Sequence, residues 1–116
     1  MLHFDFSIMI AEHLQELKKI TGCLDIVNVT NMTAGETSIS YFEELDLTNL
    51  TEIDYDLALC GNFFALRIMR NEFLRRIDFN ENLILNGAYF IRRNAEELEI
   101  YFGGKPNSTL RWHDPT

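Results

Sequence analysis

The sequence predicts a single α+β domain in which two helices pack on one face of an antiparallel sheet. Three observations lead to this fold class. Apolar residues recur at helical spacing in two segments, they alternate with charged residues near the end of the chain, and 116 residues suffice for one core. The predicted order of elements is αββαββ over residues 1–116, with residues 107–116 as a C-terminal tail.

The first predicted helix begins at Asp5 or Ser7, either of which can cap it, and ends at Gly22. Its apolar positions are Phe6, Met9, Ile10, Leu14, Leu17 and Ile20. Residues 24–29 are rich in β-branched side chains, and residues 37–42 have a similar character. A polar turn at residues 31–36 joins them, so the pattern predicts a β-hairpin.

The longest helical pattern runs from about Asp54 to Ile77, and the predicted fold is organised around it. The apolar stripe consists of Leu59, Phe63, Leu66, Met69, Phe73 and Ile77. Thr51 and Asp54 resemble a capping box. Because Gly61 weakens a helix, a strand over Tyr55–Cys60 followed by a shorter helix is the alternative.

Two further strands are predicted at residues 83–92 and 97–102, joined by a hairpin turn at residues 92–96. In the second, Leu98, Ile100 and Phe102 alternate with Glu97, Glu99 and Tyr101. This alternation predicts one face buried against the central helix and one solvated face. A short last strand is predicted at residues 109–112.

The cysteine content predicts a reducing compartment. Cys23 and Cys60 are too few for a secreted disulfide scaffold, so we expect buried free thiols. The first residues combine acids with apolar side chains and carry no basic leader, unlike a secretory signal. Four N-x-S/T triplets occur, at Asn28, Asn31, Asn49 and Asn107. With a cytoplasmic location predicted, these triplets are ascribed to composition rather than to glycosylation.

The sequence contains no motif for catalysis or for binding a cofactor. HExxH, GxSxG, CxxC and phosphate-binding glycine loops are all absent from it. Its histidines, His3, His13 and His113, lie far apart, so no metal is predicted. A net charge of −8 also disfavours direct contact with nucleic acid or with a membrane surface.

The net charge is concentrated in one segment. Residues 20–66 contain eight acids and no lysine or arginine, and the remainder of the chain is neutral. Aromatic residues lie among these acids. The predicted partner-binding residues are Tyr41, Glu43, Glu44, Asp46, Glu52, Asp54, Tyr55 and Asp56. Such a surface would steer a basic protein partner by long-range attraction. The alternative is that the acids only favour a helix start and solubility.

In size, charge and lack of catalytic motifs, the chain resembles bacterial immunity proteins. The resemblance implies an inhibitor, not an enzyme, that occludes the active site of a basic, nuclease-like toxin. A phage-encoded inhibitor of a bacterial nuclease defence would share these features. A small ligand-binding or enzymatic domain is a further alternative, with His13, Cys60, Tyr89 and Glu99 as its polar groups. Both a monomer and a homodimer are compatible with the sequence.

Overall fold

Strands dominate the structure. The computed structural model of the chain describes residues 2–4, 8–10, 15–34 and 38–106. Within these residues the strands are β1 (Leu2–Phe4), β2 (Ile8–Ile10), β3 (Lys19–Gly22), β4 (Leu24–Val27), β5 (Asn31–Ala34), β6 (Ser38–Tyr41), β7 (Glu44–Leu47), β8 (Glu52–Tyr55), β9 (Phe64–Met69), β10 (Arg76–Phe79), β11 (Ile84–Asn86), β12 (Ala88–Arg92), β13 (Glu99–Phe102) and β14 (Lys105–Pro106). A single 3-10 turn covers Leu57–Leu59 in the described part of the chain.

The chain forms a parallel β-helix, in which each coil contributes one strand to each of three sheets. The first sheet contains β3, β8 and β11, all parallel. The second contains β1, β4, β9 and β12, also parallel. The third contains β7, β10 and β13 in parallel, with the short β14 antiparallel at its edge. Coil 1 therefore spans residues 19–47, coil 2 spans 52–79 and coil 3 spans 84–102.

The core lies inside the coils and is built from ladders of apolar side chains at equivalent positions. Alternate residues of each strand point inward, as the pleat requires. The ladders are Ile20–Ile53–Leu85 in the first sheet, Leu24–Leu66–Tyr89 and Ile26–Ile68–Ile91 in the second, and Leu45–Ile77–Ile100 and Leu47–Phe79–Phe102 in the third. The apolar side chains of each coil thus stack on those of the next coil, and a single coil could not bury them alone.

A ladder of asparagine side chains ties the coils together at the corner between the second and third sheets. The side chain of Asn71 is fully buried. Its Oδ1 accepts from the Val29 amide at 2.9 Å, and its Nδ2 donates to the Ile26 carbonyl at 3.0 Å. Nδ2 also donates to Asn94 Oδ1 at 3.0 Å, while Asn94 Nδ2 donates to the Ile68 carbonyl at 3.1 Å. These bonds satisfy backbone groups that the turn would otherwise leave unpaired.

Two smaller features lie at the edges of the coils. Strands β5 and β6 form an antiparallel hairpin within coil 1, between β4 and β7, and β2 pairs with β5 in parallel. At the other end, Gly103 and Gly104 adopt left-handed φ values of 61° and 79°. This reversal lays Lys105 and Pro106 antiparallel to β13.

The predicted α+β fold class, with its αββαββ order, is wrong. Residues of the predicted central helix instead form the end of β8, the 3-10 turn, β9 and the start of β10. Burial of the side chains contradicts a helix. Two members of the predicted helical stripe are exposed, Leu59 at 48% and Phe63 at 76%. The inward residues of β9 are Leu66 and Ile68, which are two residues apart as in a strand. The three-and-four spacing came from chance alignment of two strands and a loop.

The other predicted helix and the sheet are corrected in the same way. Residues 8–10 and 19–22 of the first predicted helix are strands, while residues 5–7 and 11–14 lie outside the described part. The sheets formed by the coils are parallel, apart from β14, and not antiparallel as predicted. The predicted strand at residues 83–92 is divided at Gly87 into β11 and β12, which lie in different sheets, and neither forms a hairpin with β13. The predicted strand at 109–112 lies outside the described residues.

The alternation in the predicted strand at residues 97–102 is confirmed. Phe102 is buried, Leu98 and Ile100 pack against the core, and Glu97 and Glu99 are exposed. Their packing partner is the neighbouring coil and not a helix. No helix of the described residues is long and apolar enough to cross a membrane.

Candidate protein-recognition surface

The eight predicted partner-binding residues do not form one patch. Glu44 and Asp46 project from β7 on the outer face of the third sheet, next to Glu43, and Tyr41 ends β6. Glu52 and Asp54 lie on β8 in the first sheet, followed by Tyr55 and Asp56 at the corner that leads to the second sheet. The continuous acidic segment is therefore distributed over two outer faces and a corner.

The outer face of the third sheet is the most acidic of the three. Its outward positions hold Glu44, Asp46, Arg76, Asp78, Glu99 and Tyr101, four acids against one base. Arg76 donates to both Asp78 oxygens and lies 4.0 Å over the Tyr101 ring. The Tyr101 hydroxyl donates to Glu99, and this hydrogen bond raises the pKa of the phenol above its ordinary value. The arginine is thus already engaged by its neighbours, and the face remains negative.

A shallow groove of about 620 Å³ lies beside this face, lined by Asn31, Met32, Ser40, Tyr41, Glu43 and Glu44. The Tyr41 side chain is 59% exposed and its ring contacts Phe73 at a centroid distance of 4.3 Å. Glu43 forms an exposed ion pair with Arg75 at 3.2 Å. Exposed pairs of this kind contribute little to stability.

A loop at the corner between the first and second sheets distinguishes coil 2 from its neighbours. In coils 1 and 3 a single residue, Cys23 or Gly87, separates the two strands at this corner. In coil 2 the corner contains residues 56–63, which we name the insertion loop. Loops added to a regular scaffold commonly carry its function.

The insertion loop is fixed at several points. Asp56 caps the 3-10 turn, accepting from the Ala58 amide at 3.0 Å. Cys60 is joined by a disulfide to Cys23 in coil 1, with Cα atoms 6.2 Å apart. The Tyr55 hydroxyl donates to the Asn62 carbonyl at 2.8 Å. The loop is therefore held in one conformation from both ends.

Asn62 anchors the loop to a buried ion pair on the second sheet. Asp25 is only 1% exposed, and Arg67 donates to its two oxygens at 3.2 and 2.9 Å. Asn62 Nδ2 donates to the same carboxylate at 3.1 Å, and Asn62 Oδ1 accepts from the Phe64 amide at 2.8 Å. Buried carboxylates require such partners, so the pair fixes the base of the loop.

The insertion loop nevertheless exposes large apolar side chains. Phe63 is 76% exposed, Leu57 59% and Leu59 48%. Three of the five most exposed large apolar side chains of the described residues lie in this one loop. Asp54 and Asp56, both exposed, stand beside them. Clustered exposed apolar side chains with a charged rim are typical of protein-contact sites.

The disulfide corrects the expectation of free thiols. Cys23 and Cys60 are separated by 37 residues in sequence, but β3 and β8 are paired neighbours, which brings the corners of coils 1 and 2 together. The spacing of the cysteines in sequence could not predict this contact, because the contact depends on how the coils stack.

The polar groups of the alternative ligand pocket are not brought together. Cys60 lies in the insertion loop, Tyr89 faces inward from the second sheet, and Glu99 is on the outer face of the third. His13 lies outside the described residues. Among the described residues, no group of three or more His, Cys, Asp or Glu side chains could hold a metal ion.

Sequence reasoning missed Leu57, Leu59 and Phe63 as surface residues, because the helix prediction placed the last two in the core. A signal was present: the residues Asp56–Phe63 separate two short strand-like runs, and they contain the Gly61-Asn62 pair typical of loops. Comparison of the chain with protein-family models, with curated proteins and with solved structures found no match.

Proposed function

We propose that this domain is a protein-recognition module that contacts its partner through the insertion loop. The observation that carries the proposal is Phe63, an aromatic side chain 76% exposed at the end of a loop that a disulfide and a cap hold fixed. An exposed apolar side chain on a fixed loop gains contact energy without a large ordering cost.

The insertion loop can make a substantial contribution to binding energy. Full burial of a completely exposed leucine or phenylalanine side chain contributes about 1.5–3 kcal/mol. Because Leu57 is 59% exposed and Phe63 76%, burying both would supply roughly 2–4 kcal/mol, a factor of about 30 or more in Kd. Residues that contribute this much typically lie at the centre of an interface.

Charge indicates the chemistry of the partner. The chain carries a net charge of −8, and Asp54 and Asp56 adjoin the apolar side chains. A partner with an apolar pocket surrounded by lysine or arginine would complement this arrangement, and the charges would accelerate its association. The acidic face of the third sheet would add to the steering without contacting the partner.

An inhibitor that occludes the active site of a basic toxin is a narrower form of the same proposal. A cytoplasmic immunity protein is less well supported than a recognition module in an oxidising compartment, because disulfides such as Cys23–Cys60 are rare in reducing compartments. We therefore propose that the binding function operates outside the reducing cytosol.

Three variants test the proposal in a binding assay with the partner captured from the native host. Leu57→Ser with Phe63→Ser should weaken binding at least about 30-fold, whereas Ile84→Ala, at a similarly exposed apolar residue on the first sheet, should leave Kd unchanged. Glu44→Lys with Asp46→Lys should slow association but leave dissociation nearly constant.

Circular dichroism and a non-reducing gel would verify that each variant is folded and disulfide-bonded. Wild-type affinity in the Leu57/Phe63 variant would eliminate the insertion loop as the contact. A loss of binding confined to the Glu44/Asp46 variant would instead assign the contact to the third sheet and its adjacent groove.

A further inference from the structure

We propose that this domain is an N-glycoprotein and that Asn28 and Asn49 carry its glycans. Two independent observations meet here. The structure joins Cys23 to Cys60, which indicates folding in an oxidising compartment. The sequence also contains acceptor triplets for N-glycosylation, and two of them lie on exposed turns of the β-helix.

The number of triplets exceeds what composition explains. Ser and Thr make up 12 of the 116 residues, so the ten asparagines of the chain would give about one N-x-S/T triplet by chance, and four occur. The disulfide removes the earlier reason to ascribe them to composition, which was a predicted reducing compartment.

Asn28 occupies the corner between the second and third sheets. It is exposed, and its φ of 57° matches those of Arg70 and Arg93 at the same corner of coils 2 and 3. The two arginines are exposed as well, so this position directs long side chains into solvent in every coil. Thr30 supplies the hydroxyl of the triplet.

Asn49 occupies the corner between the third and first sheets. It is exposed, and its Nδ2 donates to the Gln15 carbonyl at 2.8 Å. A glycosylated amide keeps one N–H, so this hydrogen bond is compatible with a glycan. Thr51, the hydroxyl residue of the triplet, follows the buried Leu50.

The remaining triplets are not part of the proposal. Asn31 is half-buried within β5, which has paired strands on both sides. A bulky substituent there would have less room than on a corner turn. Asn107 lies outside the described residues.

The reaction requires a lipid-linked donor, an oligosaccharide on a polyprenyl diphosphate. A bond forms between the anomeric carbon of the first sugar and Nδ2 of the asparagine. The bond from that carbon to the diphosphate oxygen breaks, and its electron pair stays with the departing polyprenyl diphosphate. The proton lost by the amide nitrogen is released to solvent. No electrons are exchanged with an external oxidant in this transfer.

The two sites have a consequence for recognition. Asn28 and Asn49 lie at the two corners that border the third sheet, so glycans would stand on both sides of its acidic outer face. The insertion loop occupies the third corner and stays uncovered. The inference does not depend on the proposed binding function, but it agrees with contact through that loop.

The test is expression of the full chain behind a secretion signal in eukaryotic cells, followed by peptide N-glycosidase treatment in ¹⁸O-labelled water. Labelled aspartate is expected at positions 28 and 49. Asn28→Gln and Asn49→Gln should each lower the apparent mass on a gel by the mass of one glycan. Asn82→Gln is the matched control, because Asn82 lies in the corresponding turn of coil 3 but is followed by Leu83 and Ile84.

A gain-of-site variant tests the structural part of the argument. Ile84→Thr creates an Asn82-Leu-Thr triplet on an exposed turn equivalent to that of Asn49, and it should raise the apparent mass by the mass of one glycan. Cell-free translation in the presence of microsomal membranes detects transfer of the glycan even when a variant is not exported from cells. Unlabelled Asn28 and Asn49 in protein whose cysteines are oxidised would overturn the proposal, and label confined to Asn31 would overturn the site assignment.

Discussion

Reduction of the Cys23–Cys60 disulfide should destabilise the domain strongly. The bond closes a loop with a sequence separation of 37 residues. Constraining a loop of this length removes about 13 cal/mol/K of entropy from the unfolded chain, which corresponds to about 4 kcal/mol at 25 °C. For a domain of this size, we expect Tm to fall by roughly 10–20 °C.

The assay is thermal unfolding followed by far-UV circular dichroism, with and without a phosphine reductant. Cys60→Ser should have the Tm of the reduced wild type and should not respond to the reductant. Thiol titration of the denatured wild type without reductant should detect no free thiol. The reasoning would be refuted if two reactive thiols were detected and the Tm did not change on addition of the reductant. The cysteines would then be free, as predicted from the sequence.

Three further outcomes are expected from the geometry. Asn71→Ala leaves the Val29 amide and a buried carbonyl without partners, and should cost about 2–5 kcal/mol in chemical denaturation. Gly87→Ala places a Cβ 2.8 Å from a neighbouring Cβ at a φ of 146°, so the expected loss is about 2 kcal/mol or more. Tyr101 should ionise at a higher pH in the wild type than in Glu99→Ala, by tyrosinate absorbance. Because the folded-state pKa is raised, this hydrogen bond stabilises the fold at neutral pH and is lost as pH rises through that pKa.

Matched controls accompany these variants. Asn86→Ala removes an exposed asparagine of the first sheet, and Gly61→Ala adds a Cβ that meets no atom within 4 Å. Each should change the unfolding free energy by less than about 0.5 kcal/mol. A neutral Asn71→Ala or Gly87→Ala variant would contradict the described corner geometry, and an unchanged Tyr101 titration in Glu99→Ala would contradict the assigned hydrogen bond.

The sequence allowed the strand at residues 97–102 to be predicted, because alternation of Leu98, Ile100 and Phe102 with acids reflects strand geometry directly. It did not allow the β-helix to be predicted, since stacking is long-range and the coils differ in length. Equivalent positions of the second sheet, such as Leu24, Leu66 and Tyr89, are 42 and 23 residues apart. A fixed period, the usual sign of a repeat fold, is therefore missing.

A weak repeat was nevertheless present and was overlooked. Ile68-Met-Arg70-Asn71 is followed by Leu74 and Ile77, and Ile91-Arg-Arg93-Asn94 is followed by Leu98 and Ile100. In the structure both segments form the same corner, with the arginine in a left-handed conformation and the asparagine in the ladder. The candidate surface was harder to predict, because exposure of Phe63 depends on a loop conformation that contacts distant in sequence impose.

The strand reversal at Lys105 and Pro106 has a consequence for self-association. A stacked-coil protein ends in open strand edges, onto which a second molecule could add and begin a growing fibre. Here β14 occupies the free edge of β13 in the third sheet. Proline has no N–H to offer an incoming strand, and lysine is unfavourable to bury against one. Lys105 and Pro106 thus disfavour the addition of a further strand to this sheet.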